Sequence, residues 1–196
     1  MGIKKGRSDK YIIVGAHYDT CAPDPETCDF RRGANDNASG VSVMMMLAEA
    51  LHNIQTDHNI VFVAFGGEEK GLLGSMSFLK QMTFDKHDIT EMINLDMVGM
   101  MEDDKLYFTQ FNNTVISPSI FVSDSLCMVD SKDNLSDHAS FVDVGVASSY
   151  FQTGGDPMIH TTADTSDRLN YKGMNRVLQF LINYIMSIDV QYFNNQ

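Results

Sequence analysis

Proline is scarce in this 196-residue chain, with four residues, and cysteine scarcer, with three. With only 14 glycines besides, collagen-like and Pro-rich disordered classes are excluded. Cys21, Cys28 and Cys127 make no disulfide framework. Cys21 and Cys28 lie close enough in sequence either to bridge in an oxidising compartment or to stay as two thiols. Their spacing is not that of a CxxC zinc pair. Apolar runs are short, and none approaches the roughly 18–20 residues that a membrane-spanning helix needs. The segment from Met1 to Lys10 is basic and polar, with no apolar stretch of the signal-peptide kind. Positive charge is also in short supply: 14 Lys and Arg face 26 Asp and Glu, a net −12. A chain of that sign repels phosphates, which argues against nucleic acid as a partner. An acidic excess can also collect carboxylates around cations.

What is present is ordinary for a globular protein: 43% hydrophobic and 20% charged residues, in a length that suits one domain with a real core. No fixed-period repeat or linker interrupts it. Short apolar runs alternate with helical patterns. Tyr11–Ala16, Ile60–Phe65, Met92–Met97 and Val144–Phe151 read as strands, and Leu106–Phe108 as a short edge strand. Val41–Leu51, with Asn37 or Ser39 as its cap, Gly71–Met82 and Tyr171–Ile188 read as helices. The stretch Thr114–Met128 has a helical reading interrupted at Pro118. Strands alternating with helices predict an α/β fold around a largely parallel sheet.

Such sheets place ligands at the carboxyl ends of their strands. His17-Tyr18-Asp19 follows the first strand, and Gly66-Gly67-Glu68-Glu69 the second. Asp96 ends the third, and a Gly-containing loop after the fourth leads to His160. Asp36 lies in the turn Gly33–Gly40 before the first long helix. Taken singly, each has a bland alternative; an Asp before a helix is as readily a cap. Together, two imidazoles and three carboxylates (His17, Asp36, Glu69, Asp96 and His160) form a donor set suited to Zn²⁺ and, less well, Mn²⁺ or Co²⁺. If one carboxylate bridges two ions, each ion has three protein ligands, and a shared water or hydroxide takes the open position. Glu68, beside Glu69, is then free to act as a base.

The motifs HYD, GANDNASG, GGEEKGLLGS, NLDMVG, SDHASF and IHTTADT, in this order over Tyr11 to Asn170, resemble the dizinc aminopeptidases of the bacterial leucyl-aminopeptidase type. The resemblance implies a three-layer α/β/α fold with a central mixed, mostly parallel sheet. It implies an exopeptidase acting on peptides with a free N-terminus. It makes Asp36 the bridging carboxylate, His17 and Asp96 the other ligands of the first Zn²⁺, and Glu69 and His160 those of the second. Glu68 becomes the general base and Asp19 the carboxylate that orients His17. It also implies a cis peptide bond between Asp36 and Asn37. Relatives of this kind are often secreted or periplasmic.

Two departures stand out. The family's catalytic domain carries several tens of residues before the first strand, so the expectation is a single catalytic domain, 1–196, lacking an N-terminal helix and outer strands and leaving one sheet edge bare. Ile159 stands where some members have a Tyr that aids oxyanion binding. Of the remaining residues, His138 fits either a site-lining or a turn-capping reading, and Asp164 reads as a structural carboxylate. His52, His58 and His87 are expected at the surface, as are Glu91, Glu102, Asp103 and Asp104. The 14 Met residues read mainly as core, with a few available to line an apolar substrate pocket. Two rival readings are a glutaminyl-cyclase-like acyltransferase with one zinc and a non-catalytic relative.

Overall fold

The computed structural model describes residues 1–23, 26, 27, 29–121, 126–131 and 136–194. Among them are seven strands: β1 (Gly2–Lys4), β2 (Tyr11–His17), β3 (Asn59–Phe65), β4 (Ile89–Leu95), β5 (Lys105–Phe111), β6 (Cys127–Asp130) and β7 (Ser148–Gln152). They form one sheet in the order β1-β3-β2-β4-β7-β5-β6. The central four, β3, β2, β4 and β7, are parallel; β1 runs antiparallel to β3, and β5 antiparallel to β7. The sheet is therefore mixed with a parallel centre.

Alternation along β2 feeds two cores. Ile12, Val14 and Ala16 pack with α1 (Gly40–Leu51) and α4 (Tyr171–Asn194) on one face. Ile13 joins Val61, Phe65 and Met92 on the other face, covered by α2 (Leu73–Gln81) and α3 (His138–Asp143). The result is the expected three-layer α/β/α arrangement. The apolar stripe of α4 at Met174, Val177, Leu178, Leu181, Ile185 and Ile188 is buried, as its helical spacing predicts. Among the described residues no helix is long and apolar enough to cross a membrane.

Several details differ from the sequence expectations. The outer edge of β3 is not bare: β1 pairs with Ile60–Phe62, leaving Val63–Phe65 without an outer partner among the described residues. The run 106–108 belongs to a seven-residue interior strand, flanked by β7 and β6. Within 114–128 the described residues hold a 3₁₀ turn at Pro118–Phe121 and no α-helix, and the strand β6 begins at Cys127. Val144 ends α3 rather than beginning a strand.

His58 and Glu91 are fully buried rather than exposed. Each has partners far along the chain. His58 Nδ1 lies 2.8 Å from Asp189 of α4 and Nε2 2.8 Å from Thr90. Asp189 also accepts the backbone N–H groups of Asp57 and His58, so it pins the last helix to the start of β3. Glu91 Oε1 accepts from Ser149 Oγ at 2.7 Å and Tyr184 Oη at 2.6 Å.

Burial pushes the Glu91 carboxyl up to about 7, although the hydrogen bonds from Ser149 and Tyr184 oppose the shift. Its folded-state pKa thus exceeds its unfolded one. The stabilisation is full below the unfolded pKa and is lost as pH rises toward the folded one. Glu91→Gln cannot ionise. Its stability relative to the parent is expected to rise by about 2–3 kcal/mol between pH 5 and pH 8, read from urea unfolding at each pH. A pH-independent difference would contradict the assignment.

Candidate metal centre

The parallel strands of the centre deliver their carboxyl ends to one edge, and the candidate residues lie there. His17 is the last residue of β2 and is buried. Glu68 and Glu69 open a 3₁₀ turn just after β3. Gly67, at φ 77°, and Gly71, at φ 96°, bracket this turn with left-handed backbone that favours glycine. Asp96 follows β4 directly, and His160 lies in the loop after β7. Its own φ of 58° is uncommon for a residue other than glycine.

Asp36 sits in the turn Ala34–Ser39, where the peptide bond Asp36–Asn37 is cis, as the resemblance implied. The side chains of this segment explain its placement. Asn37 Nδ2 donates to the Leu95 carbonyl, and Asn37 Oδ1 accepts from Met97 N and from Gly40 N, which caps α1. Asn35 Oδ1 accepts from Gly99 N, and Ser39 Oγ from Val98 N. Asp164 accepts the N–H groups of Asn35 and Asp36 at 2.7 and 3.0 Å, the structural role expected of it. The turn is thus tied to the end of β4, which brings Asp36 beside Asp96.

Two clusters result. His17 Nε2 lies 3.1 Å from Asp36 Oδ1 and 3.2 Å from Asp96 Oδ1. His160 Nε2 lies 3.0 Å from Asp36 Oδ2 and 3.3 Å from Glu69 Oε2. One ring nitrogen carries at most one proton and cannot satisfy two carboxylates at once. A cation between the three donors satisfies all of them. Two donors held about 2.0–2.1 Å from a tetrahedral centre stand about 3.3 Å apart, close to the four distances here. The electrostatics agree. Burial disfavours a charged His17, yet Asp36 and Asp96 raise its pKa to about 11. The pocket strongly favours positive charge. The residues present therefore fit metal ions.

Asp19 is placed differently from the sequence expectation. His17 Nδ1 contacts the Asp19 backbone carbonyl at 3.1 Å, while the nearest carboxylate oxygen is 3.8 Å away. The carboxylate instead accepts the N–H groups of Glu68 at 3.1 Å and Glu69 at 3.3 Å. Glu68 lines a cleft of about 460 Å³ with Asp36, Asp96 and His160, walled further by Met97 and Ile159. Burial pushes its carboxyl up to about 8. His138 is fully buried and stacked between Phe111 and Tyr150, behind the cleft wall to which Tyr150 belongs and not itself lining the cleft. Cys28 lies outside the described residues, so no Cys21–Cys28 pairing is assigned. The contact sequence reasoning missed is that of Cys21, whose Sγ lies 2.9 Å from Glu69 Oε2. Its position four residues after His17 was the available signal.

The profile of peptidase family M28 matches residues 1–185. The chain belongs to that family. As an M28 protein it is 34% identical over 192 residues to aminopeptidase YwaD of Bacillus subtilis, an alignment spanning 87% of this chain and 40% of the relative. The structure of a zinc aminopeptidase from Bacillus subtilis superposes with a TM-score of 0.80 at 30% identity, over 95% of this chain and 48% of that one. A glutaminyl cyclase from Bacteroides thetaiotaomicron shares the fold, with a TM-score of 0.73 at 22% identity, over 92% of this chain and 74% of that one. The chain thus spans about half the length of the aminopeptidases it matches.

Proposed function

We propose that residues 1–196 act as one catalytic domain of a two-zinc aminopeptidase that removes N-terminal residues from peptides. The observation carrying this reading is that the two oxygens of Asp36 face two different imidazoles, Oδ1 toward His17 and Oδ2 toward His160. Asp36 would hold both ions, with His17 and Asp96 completing one ligand set and Glu69 and His160 the other. The relatives' names support zinc and aminopeptidase chemistry. The imidazole and carboxylate donors would also take Mn²⁺ or Co²⁺.

Two bound zinc ions would acidify a water and polarise the scissile carbonyl. The rest falls to the chain's own side chains. Glu68 accepts a proton from the attacking water and returns it to the leaving amine. Burial raises its pKa and bound cations would lower it, two opposed effects between which both transfers are accessible. Asp19 fixes the backbone of both glutamates, so base and ligand keep their spacing. A cyclase-like site with one ion would leave one of the two clusters without a role, and the paired geometry favours the hydrolase.

Elemental analysis is expected to give two zinc ions per chain. Hydrolysis of an aminoacyl-nitroanilide is expected to disappear on chelation and return with zinc. One ion, with cyclisation of N-terminal glutamine in place of hydrolysis, would overturn the reading in favour of the cyclase. No ion after zinc addition would overturn it altogether.

A further inference from the structure

Cys21 stands on the Glu69 side of the centre. Its sulfur, a Glu69 oxygen and a His160 nitrogen all lie within 4.8 Å of one another. The His160 nitrogen is in turn 3.0 Å from Asp36 Oδ2. A second observation points to the same place. The Glu69 side chain is only 8% exposed, and its Oε1 is buried with no hydrogen-bond partner among the described residues. A buried carboxylate oxygen left unpaired is costly, and a cation beside it removes the cost.

We propose that Cys21 supplies a thiolate ligand to the ion held by Asp36, Glu69 and His160. This rests on the two-ion reading above. That ion then has four protein donors, and a water shared with the other ion would make it five-coordinate, a state catalytic zinc can reach. The other ion has three, from His17, Asp36 and Asp96, and keeps the open position that hydrolysis needs. Binding forms one metal–sulfur bond and releases the thiol proton to solvent. No oxidant or reductant is required. The two positions consequently differ in character. Sulfur biases the Cys21 position toward zinc or cobalt, whereas imidazole and carboxylates alone leave the other more tolerant of Mn²⁺.

Cobalt makes the sulfur visible. The unmutated chain with two equivalents of Co²⁺ is expected to show sulfur-to-cobalt charge-transfer absorption in the near ultraviolet. Cys21→Ser should bind two ions, lose that absorption and hold the second ion about 10- to 100-fold more weakly, the range typical of altered metal surroundings. Cys28→Ser and Cys127→Ser should keep it. In the unmutated chain, zinc should slow alkylation of one thiol, and peptide mapping should place it at Cys21; this reading does not depend on any variant folding. Two bound cobalt ions without the absorption, or absorption that survives Cys21→Ser, would overturn the thiolate ligand and leave the two-ion site standing. Fewer than two ions in the unmutated chain would overturn both.

Discussion

Asp36→Ala is expected to weaken both metal positions at once and to lower kcat/KM by about a thousandfold or more, since several kcal/mol of charge stabilisation depend on the ions. The reason is geometric. Each oxygen of Asp36 lies about 3 Å from a different imidazole, at 3.1 Å from His17 and 3.0 Å from His160. Every other ligand serves one cluster only, so its loss should weaken one ion and spare the other. The variant should still fold. It removes one carboxylate from a region that also holds Glu68, Glu69 and Asp96, and so relieves repulsion. Far-ultraviolet circular dichroism checks the fold, and elemental analysis counts the ions. A folded variant that keeps two zinc ions would refute the bridge.

Glu68→Gln tests a different function. The amide is close in shape and the backbone N–H held by Asp19 is untouched, so both ions should remain. The side chain can no longer take a proton. We expect kcat to fall by about 10²- to 10⁴-fold, the usual worth of a positioned acid–base group, with little change in KM. Burial, with the nearby Asp96, Asp137 and Glu69 carboxylates, lifts this carboxyl to about 8; bound cations would favour its ionised form and draw it back down. A variant of undiminished kcat would remove Glu68 from the reaction.

The parallel centre of the sheet was legible because its strands are continuous apolar runs. Within the candidate site, His17, Glu69 and Asp96 were legible because they end or closely follow those runs, where an α/β sheet offers its binding edge, whereas Asp36 and His160 lie in turns and loops and were read from the motifs around them. What escaped reading left no mark in the local pattern. Glu91 looks like a surface residue until Ser149 and Tyr184, 58 and 93 positions away, are brought against it. His58 likewise takes its character from Asp189, 131 positions away. Local pattern carries no trace of such partners. The short elements α3 and β6, of six and four residues, are too brief for periodicity to declare itself. Asp19 was assigned to the right neighbourhood, but its carboxylate turns to two backbone N–H groups, and backbone donors leave no mark in a sequence.

The residues of the candidate centre come from strand ends, a turn and a loop far apart in sequence, and His17 meets Asp96 across 79 positions of chain. No contiguous stretch of the polypeptide can assemble such a ligand set while the sheet is open. Metal affinity is therefore held by the native ensemble as a whole. Whatever free energy the ions contribute on binding acts on global unfolding, and grows with the logarithm of their free concentration. If the centre fills as proposed, a chelator would act on this molecule as a denaturant of adjustable strength, and the melting temperature would gauge available zinc.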